Sequence, residues 1–390
     1  MPTVPRRSLS LLILISRAAV FALLLAGAAL HAATMPVPAP PAVDARSYLL
    51  IDFNSGVVLA QSNVDERVEP ASITKIMTAY VVYQALKQNT ISAQDEVTVS
   101  EKAWRSIGSR MFLDVGTQVS LENLLLGMIV QSGNDASVAL AEHVAGTEQA
   151  FAGLMNNFAR HLGMTNTNYV NATGLPDPEH YTTARDIATL TRALIRDFAE
   201  QYGRYSIKEF TYNGISQHNR NKLLWRDNGV DGVKTGYTES AGYCLVTSAA
   251  RNHMRLIAVV LGAASEDARA AHNQALLNYG YQFYETHQLY SAAKPLSNSR
   301  VWKGDVDTLD VGLANDLYVT IPRGRYKSLS AALELSKLLE APIDKGQRLG
   351  TVRVMIGDKS LTDAPLVALQ TVSEGGMLRV LMDSVLQYFR

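Results

Sequence analysis

An apolar segment without Gly or Pro, residues 76–82, directly follows the tetrapeptide Ser72-Ile-Thr-Lys75. It predicts a buried helix with Ser72 in the first turn, where the hydroxyl also serves as a cap. Residues three positions apart share a helix face, so Ser72 and Lys75 should be neighbours. Burial favours a neutral lysine, which accepts the serine proton and makes Ser72 a nucleophile. The motif alone leaves the alternative of a capping serine beside a surface lysine.

Composition indicates an ordinary globular protein and excludes several functional classes. The 390 residues are 47% hydrophobic and 18% charged, which suggests two or three domains. Lys plus Arg equals Asp plus Glu at 36 each, so nothing indicates a nucleic-acid partner. The single cysteine, Cys244, excludes an internal disulfide and a cysteine-based metal site, and we interpret it as a small buried hydrophobe. The histidines show no metal-ligand spacing, so we expect no metal and no cofactor.

The first 33 residues have the pattern of a secretory signal. Arg6, Arg7 and Arg17 precede an uncharged stretch of 13 residues, 18–30, and Ala32-Ala33 ends the segment with small side chains. The uncharged stretch is short for a transmembrane helix. We therefore expect a signal peptide over residues 1–33 and a mature protein that acts outside the cytoplasm.

Residues 44–290 predict one domain with an antiparallel sheet flanked by helices, an α+β arrangement. Its expected elements alternate between strand and helix periodicity. They are a hairpin within 48–60, the Ser72 helix, helices from Ser120, over 151–162 and from Thr183, strands at 230–238, 243–249 and 254–261, and a last helix over 268–285. The N-terminal hairpin and the C-terminal meander should form the sheet together.

Two further units are expected after a linker at 291–299. Residues 297–372 predict a small all-β domain, because apolar and polar residues alternate in the strand manner. Residues 375–390 predict a terminal amphipathic helix, tethered by Gly375-Gly376. Its apolar face either packs on the β domain or lies in a membrane interface, and the exported context favours the membrane.

Two other short motifs provide partners for Ser72 and Lys75. Ser132-Gly-Asn134 lies in a polar loop between two predicted helices, and Lys234-Thr-Gly236 lies on a predicted strand. Ser-x-x-Lys, Ser-Asp-Asn and Lys-Thr-Gly together are the signature of penicillin-binding proteins and class A β-lactamases. Here the middle motif reads Ser-Gly-Asn, with the same Ser and Asn ends. Each motif is common alone, but their order and predicted contexts make a chance match improbable.

With these motifs the chain resembles the low-molecular-mass penicillin-binding proteins that are D-alanyl-D-alanine carboxypeptidases, a family of serine peptidases. The resemblance extends from about Asp44 to the C-terminal helix. It implies a serine β-lactamase/DD-peptidase-like catalytic domain, a β-rich second domain and a terminal membrane anchor. The matching segments beyond the three motifs are Glu69 to Lys75, Gln131 to Ala136, Asn219 to Asn221, Val230 to Thr238 and Ile321 to Gly324.

The resemblance also implies roles for the motif residues. Ser72 would attack the carbonyl between the last two D-alanines of a peptidoglycan stem peptide, with Lys75 as the base, and water would then cleave the acyl-enzyme. Ser132 and Lys234 would relay the proton to the leaving amine, Asn134 would hold the substrate's amide, and the charge of Lys234 should lower the pKa of Lys75.

Substrate binding is expected from a second group of residues. The backbone N–H groups of Ser72 and Tyr237 would form the oxyanion hole after Gly236. The terminal carboxylate would be bound by Lys234, Thr235 and Arg220, with Arg269 as a further candidate. We interpret Asp135 as a cap of the following helix.

The implied partners are stem peptides, β-lactam antibiotics as covalent inhibitors, and a membrane surface contacted by the terminal helix on the periplasmic face of the inner membrane. Three alternative functions share parts of this sequence pattern. A β-lactamase is disfavoured because no Glu-x-x-Leu-Asn segment follows Ser132. An endopeptidase stays open, and a non-catalytic wall-binding protein is disfavoured because every expected catalytic side chain is present. Two departures from relatives are Tyr237, where some have His, and a short stretch at 103–112.

Overall fold

The computed structural model describes residues 37–388, so the expected signal peptide and the last two residues lie outside the described part. The strands of the first domain are β1 (Ser47–Asp52), β2 (Val58–Ser62), β3 (Glu96–Thr98), β4 (Gln118–Ser120), β5 (Glu209–Tyr212), β6 (Ile215–His218), β7 (Val230–Thr238), β8 (Gly242–Arg251) and β9 (Met254–Ala263). Those that follow are β10 (Tyr284–Tyr290), β11 (Pro295–Arg300), β12 (Thr308–Leu313), β13 (Leu317–Pro322), β14 (Leu329–Leu335), β15 (Arg348–Ile356) and β16 (Lys359–Ala368).

The helices lie mainly between β2 and β10. They are α1 (Lys75–Lys87), α2 (Glu101–Trp104), α3 (Leu121–Leu126), α4 (Asn134–Ala145), α5 (Glu148–His161), α6 (Ala184–Asp197), α7 (Ala199–Tyr202), α8 (Leu223–Arg226), α9 (Glu266–Phe283) and α10 (Met377–Tyr388). Short 3₁₀ turns cover Ala71–Thr74, Gly203–Ser206 and Tyr326–Ser328, and a π-helical turn covers Gly127–Gln131.

The first domain has an antiparallel five-stranded sheet in the order β2-β1-β9-β8-β7. β1 therefore pairs with β9, so the N-terminal hairpin and the C-terminal meander form one sheet, as the sequence predicts. Helices α6 and α9 pack against this sheet, and α1 runs through the core between α4, α5 and α6. Ile76, Met77 and Val82 of α1 are fully buried, which is why that segment has apolar side chains all round.

Helix boundaries with local polar signals lie where the sequence predicts them. The Ser120 side chain accepts a hydrogen bond from the Asn123 N–H and starts α3, and Thr183 does the same for α6 with the Asp186 N–H. Gly163 follows α5 with φ of 79°, the left-handed conformation typical of a residue just after a helix.

The second domain is all-β, with a sheet in the order β11-β12-β16-β15-β14 and a separate pair of β10 with β13. Its core contains Leu309, Val311, Val352, Val354 and Leu366. Residues 284–290, expected inside the first domain, form β10 and pair with β13 of the second. The linker expected at 291–299 contains most of β11, Pro295–Arg300. The chain therefore enters the second domain directly from α9.

A closed group of four polar side chains joins the two domains. The buried Asp52 carboxylate accepts hydrogen bonds from Ser55 Oγ at 2.9 Å and Thr286 Oγ1 at 2.7 Å. Both hydroxyls also contact Thr320 Oγ1, at 2.6 and 2.9 Å. Asp52 and Ser55 belong to the N-terminal hairpin, whereas Thr286 and Thr320 lie on β10 and β13, so this network connects the sheet of one domain to the strands of the other.

Helix α10 packs on the second domain through its polar face. Asp383 is buried and accepts a hydrogen bond from the Lys303 N–H at 2.6 Å, and Arg379 forms an ion pair with Asp307. The apolar side chains point away from the domain, with Met377 91% and Leu381 66% exposed. Of the two packing options for this helix, the structure excludes burial of the apolar face in the β domain.

Candidate active site

Ser72 lies on a short 3₁₀ turn rather than in the first turn of an α-helix. The turn covers Ala71–Thr74, and α1 begins at Lys75. Ala71 has φ of 47°, a left-handed conformation that costs energy for a residue with a Cβ atom. The expected capping role of Ser72 is wrong, because Pro70 occupies the N-cap position and Ser72 Oγ lies 2.9 Å from Lys75 Nζ.

Lys75 is 1% exposed, and three oxygen atoms surround its amine. Its Nζ lies 2.9 Å from Ser72 Oγ, 2.7 Å from Asn134 Oδ1 and 2.6 Å from the Thr173 carbonyl oxygen. Burial, together with the positive charge of Arg220, lowers the pKa of Lys75 to about 7. The amide and carbonyl oxygens only accept hydrogen bonds, so a neutral amine donates its two N–H groups to them. Its lone pair is then directed at Ser72 Oγ.

The second motif lies at the start of α4. Ser132 has φ of 69° and ends the π-helical turn Gly127–Gln131, which directs its hydroxyl towards the other two motifs. Asn134 is buried, and its Nδ2 donates to the Ile107 carbonyl oxygen at 2.7 Å while its Oδ1 accepts from Lys75. These contacts position Lys75. The expected contact of Asn134 with a substrate amide stays a prediction.

Asp135 fixes the loop beside the second motif. Its carboxylate accepts hydrogen bonds from the backbone N–H groups of Met111, Phe112 and Leu113 at 3.0, 2.9 and 3.2 Å. It also accepts from the neighbouring Ala136 N–H. The expected capping role of Asp135 is wrong, because Asp135 lies within the first turn of α4 and the N-cap position belongs to Gly133. The sequence did not indicate the loop contacts, because backbone donors have no side-chain signature.

The third motif provides a second buried lysine. Lys234 is 3% exposed, and its Nζ donates to Ser132 Oγ at 2.9 Å and to the Thr235 carbonyl oxygen at 3.0 Å. Burial lowers the pKa of Lys234 well below its ordinary value, and Lys75 acts in the same direction. From the sequence, burial is expected to favour the neutral form of Lys75, and the charge of Lys234 to lower its pKa further. In the structure burial is the leading cause at both lysines, and Arg220 is the second at Lys75.

Gly236 allows β7 to approach the Ser72 turn. A Cβ atom at this position would lie 3.1 Å from the Pro70 carbonyl oxygen and 3.2 Å from the Ala71 Cβ, closer than most Cβ contacts. The strand segment that carries Lys234, Thr235 and Gly236 therefore lies directly against the turn. This contact brings the backbone of Tyr237 to the same cleft as Ser72.

The three motifs line one cleft of about 320 Å³, together with the predicted cationic residues. Arg220 is exposed and donates to Ser109 Oγ at 2.8 Å, whereas Arg269 is buried and donates to the Gly236 carbonyl oxygen at 3.0 Å. The exposed ring of Tyr237 packs on Tyr243, with 4.3 Å between the ring centroids. Both guanidinium groups line the cleft, which makes it suitable for a carboxylate.

The structure adds residues that the sequence did not indicate. Thr173 contributes a backbone oxygen to Lys75, and Gly174 has φ of 84°. A Cβ atom on Gly174 would lie 1.8 Å from the Ala71 carbonyl oxygen, so this position requires glycine. The available sequence signal is Gly174 itself, between Thr173 and Leu175 in the loop before Thr183.

Two structural features are absent from the described part of the chain. Among residues 37–388, no group of three or more His, Cys, Asp or Glu side chains is arranged to hold a metal ion. Within the same part of the chain, no helix has both the length and the apolar character needed to cross a membrane.

Comparison with known proteins identifies relatives of both domains. Residues 34–265 match the family described as D-alanyl-D-alanine carboxypeptidase, and residues 284–374 match the penicillin-binding protein 5 C-terminal domain. The D-alanyl-D-alanine carboxypeptidase DacC of Escherichia coli is 46% identical over 357 residues, which cover 90% of this chain and 89% of that protein. The D-alanyl-D-alanine carboxypeptidase DacF of Bacillus subtilis is 36% identical, covering 87% and 88%.

A solved structure gives the same result for the fold. Penicillin binding protein 5 from Haemophilus influenzae superimposes with a TM-score of 0.83 at 44% identity, over 86% of this chain and all of that chain. The match includes the all-β domain, so it is not limited to the catalytic motifs. From the family match over most of the first domain and the near-complete coverage of its relatives, the chain belongs to the D-alanyl-D-alanine carboxypeptidase family.

Proposed function

We propose that this protein is a serine-type carboxypeptidase that removes the terminal D-alanine from peptidoglycan stem peptides ending in D-Ala-D-Ala. The main support is the contact of Ser72 Oγ with Lys75 Nζ at 2.9 Å, in a site where the pKa of Lys75 is about 7. A neutral amine with two fixed hydrogen-bond acceptors is a competent base for a serine hydroxyl. The relatives carry this activity in their names.

The first half of the reaction transfers an acyl group to the enzyme. Ser72 Oγ bonds to the carbonyl carbon between the two D-alanines, and its proton moves to Lys75. The bond from that carbon to the leaving nitrogen breaks, and Ser132 with Lys234 relays the proton from Lys75 to the departing D-alanine, so that Lys75 is neutral again. The 2.9 Å contact of Lys234 Nζ with Ser132 Oγ supports this relay.

The second half returns the enzyme to its starting state. Water attacks the ester carbon as one of its protons moves to Lys75, and the bond from that carbon to Ser72 Oγ breaks. Ser72 Oγ takes the proton from Lys75, and the shortened peptide leaves as a carboxylate after its acid proton passes to solvent. The backbone N–H groups of Ser72 and Tyr237 serve as the oxyanion hole in both halves, because β7 lies against the Ser72 turn at Gly236.

The arginine residues that line the cleft favour an exopeptidase. A terminal D-alanine carries a carboxylate that Arg220, Arg269 and Thr235 can bind, whereas an internal peptide bond does not. The endopeptidase alternative has no comparable support in the cleft. β-Lactams would acylate Ser72 in the same way and act as covalent inhibitors.

Location is part of the proposal. Residues 1–33 would direct export, and the exposed apolar face of α10 would hold the protein on the periplasmic face of the inner membrane as a peripheral protein. The apolar side chains of α10 point away from the domain that the helix packs on, as a membrane-facing helix requires.

A D-alanine release assay tests the activity. We expect the purified protein to release D-alanine from a peptide ending in D-Ala-D-Ala, and not to release D-alaninamide from the same peptide with an amidated terminus. Ser72→Ala should abolish release. Equal cleavage of the free and amidated peptides would favour the endopeptidase, and no cleavage of either would favour a non-catalytic binding protein.

A further inference from the structure

A line of buried hydrogen bonds connects His180 to the Ser72 turn. The Val170 N–H lies 3.2 Å from His180 Nδ1, and His180 Nε2 lies 2.8 Å from Thr74 Oγ1. The Thr74 hydroxyl donates to the Ala71 carbonyl oxygen at 2.8 Å. His180 and Thr74 are both fully enclosed by protein, so water does not compete for these contacts.

The donors fix the protonation state of the imidazole. Because the Val170 N–H donates to Nδ1, that nitrogen carries no proton, and Nε2 carries it instead. Nε2 then donates to Thr74, whose own hydrogen is already directed at Ala71. Each donor in the line therefore faces an acceptor.

Electrostatics supports the neutral form of His180. Burial is the main cause that lowers the pKa of His180, to about 4, and Lys75 acts in the same direction. Asp177 and Glu148 oppose this shift, but less than burial. At neutral pH the ring keeps the single N–H that the line of hydrogen bonds needs.

The line ends at a strained point next to the nucleophile. Ala71 has φ of 47°, and Gly174 packs so closely on the Ala71 carbonyl that no Cβ atom fits there. The residue before Gly174, Thr173, provides the carbonyl oxygen that holds Lys75. His180 therefore stabilises the turn that carries Ser72, through Thr74, and this turn packs on the loop that contacts Lys75.

We propose that His180 is a positioning residue that acts through the Thr74 hydroxyl to hold Ser72 Oγ in line with the lone pair of Lys75. This inference rests on the proposed function, since it concerns how fast Ser72 is acylated. Strained backbone persists at an active site only where surrounding contacts determine it, and a small displacement of reacting atoms has a large effect on rate.

Thr74→Val and Thr74→Ser form the central test, because Val keeps the shape of Thr and Ser keeps its hydroxyl. Acylation by benzylpenicillin is followed in single turnovers with the full chain, and the noncovalent dissociation constant is separated from the acylation rate constant. We expect Thr74→Val to lower the rate constant roughly 10- to 100-fold without changing the dissociation constant. Thr74→Ser should stay close to the unmodified protein.

Substitutions at His180 test the same line of hydrogen bonds at the end away from Ala71. His180→Leu should lower the rate constant as Thr74→Val does, and the double variant should show little further loss because the two residues act in one line. His180→Gln, which keeps an N–H donor, should recover part of the rate. Tyr169→Phe is the matched control, since the Tyr169 ring contacts His180 edge-on and its hydroxyl has no hydrogen-bond partner among the described residues.

Each outcome separates the proposal from its alternatives. An unchanged rate constant in Thr74→Val, with only a smaller fraction of protein that reacts, would assign His180 and Thr74 a purely structural role. An equal loss in Thr74→Ser would also overturn the proposal. If His180→Leu fails to fold, the Thr74 pair decides alone. If the unmodified protein is not acylated at all, the proposed function fails instead.

Discussion

Lys75 illustrates how burial turns an ordinary residue into a base. In water its amine would be protonated at neutral pH, but enclosure in the α1 core removes the solvation that stabilises the ammonium form. Asn134 and Thr173 occupy its two N–H groups, so the remaining lone pair has one direction. The function of Lys75 therefore depends on its surroundings more than on its position in a tetrapeptide.

The lowered pKa predicts how acylation depends on pH. Lys75 accepts a proton only when it is neutral, so the acylation rate should rise with pH through a midpoint near 7 and fall as the amine becomes protonated below it. Lys75→Arg should abolish acylation, because a guanidinium group does not lose its proton in this range. The rate of benzylpenicillin acylation measured between pH 5 and 9 checks both expectations.

A substitution at Arg220 tests what lowers the pKa of Lys75 and so sets this midpoint. The positive charge of Arg220 contributes to the low pKa of Lys75, so Arg220→Gln should move the midpoint to higher pH. Arg226→Gln is the matched control, since Arg226 is exposed on α8 and pairs with Asp267. A rate that does not vary with pH would contradict the role of neutral Lys75 as the base. Equal midpoints in all three proteins would contradict the contribution of Arg220 to the pKa of Lys75.

The sequence predicted the side chains of the site but not its backbone contacts. Ser72, Ser132 and Lys234 lie in recognisable motifs and meet in the cleft as predicted. The Thr173 carbonyl and the left-handed Ala71 have no signature in residue type, and they depend on packing against Gly174. His180 was invisible for a similar reason, because a lone histidine in a loop has no motif partner in the sequence.

Among the elements, those with local polar signals were predictable and those defined by distant partners were not. Ser120 and Thr183 start their helices as expected because a cap is a contact within one turn. The strand at 284–290 was assigned to the preceding helix and domain, because its partner β13 lies about thirty residues further along the chain. A strand is stabilised mainly by its neighbours, so its sequence alone is a weak indicator.

The apolar side chains of helix α10 are exposed in the described structure. Its polar residues Asp383 and Arg379 already contact the β domain, whereas Leu381 is 66% exposed. If this face lies in a membrane interface, Leu381→Glu should lower sedimentation with lipid vesicles roughly tenfold or more, since a buried leucine contributes about 1.5–3 kcal/mol. D-alanine release in solution should not change.

Leu338→Glu is the matched control for this prediction. Leu338 is also exposed and lies in the second domain, but it is not on α10. This substitution should leave vesicle binding intact. If both variants sediment equally with vesicles, α10 does not carry the membrane contact.

For the whole molecule, the site exists only because the fold unites segments that are far apart in sequence. Ser132 and Lys234 are 102 residues apart and their side chains lie 2.9 Å apart. The order of motifs predicted this convergence, and the sheet order β2-β1-β9-β8-β7 explains it, since β7 is the edge strand that lies against the Ser72 turn. The direct entry from α9 into β10, and the Asp52 network across the domains, were not predictable, since both depend on long-range pairing.

The central claim is that Ser72 is the nucleophile of an acyl-transfer site assembled from these three segments. Peptide-mapping mass spectrometry after incubation with benzylpenicillin tests it most directly. We predict one penicilloyl group per molecule, on the peptide that contains Ser72, and no modification of the Ser72→Ala protein. A stable adduct on any other residue, or an adduct that persists in Ser72→Ala, would contradict the claim.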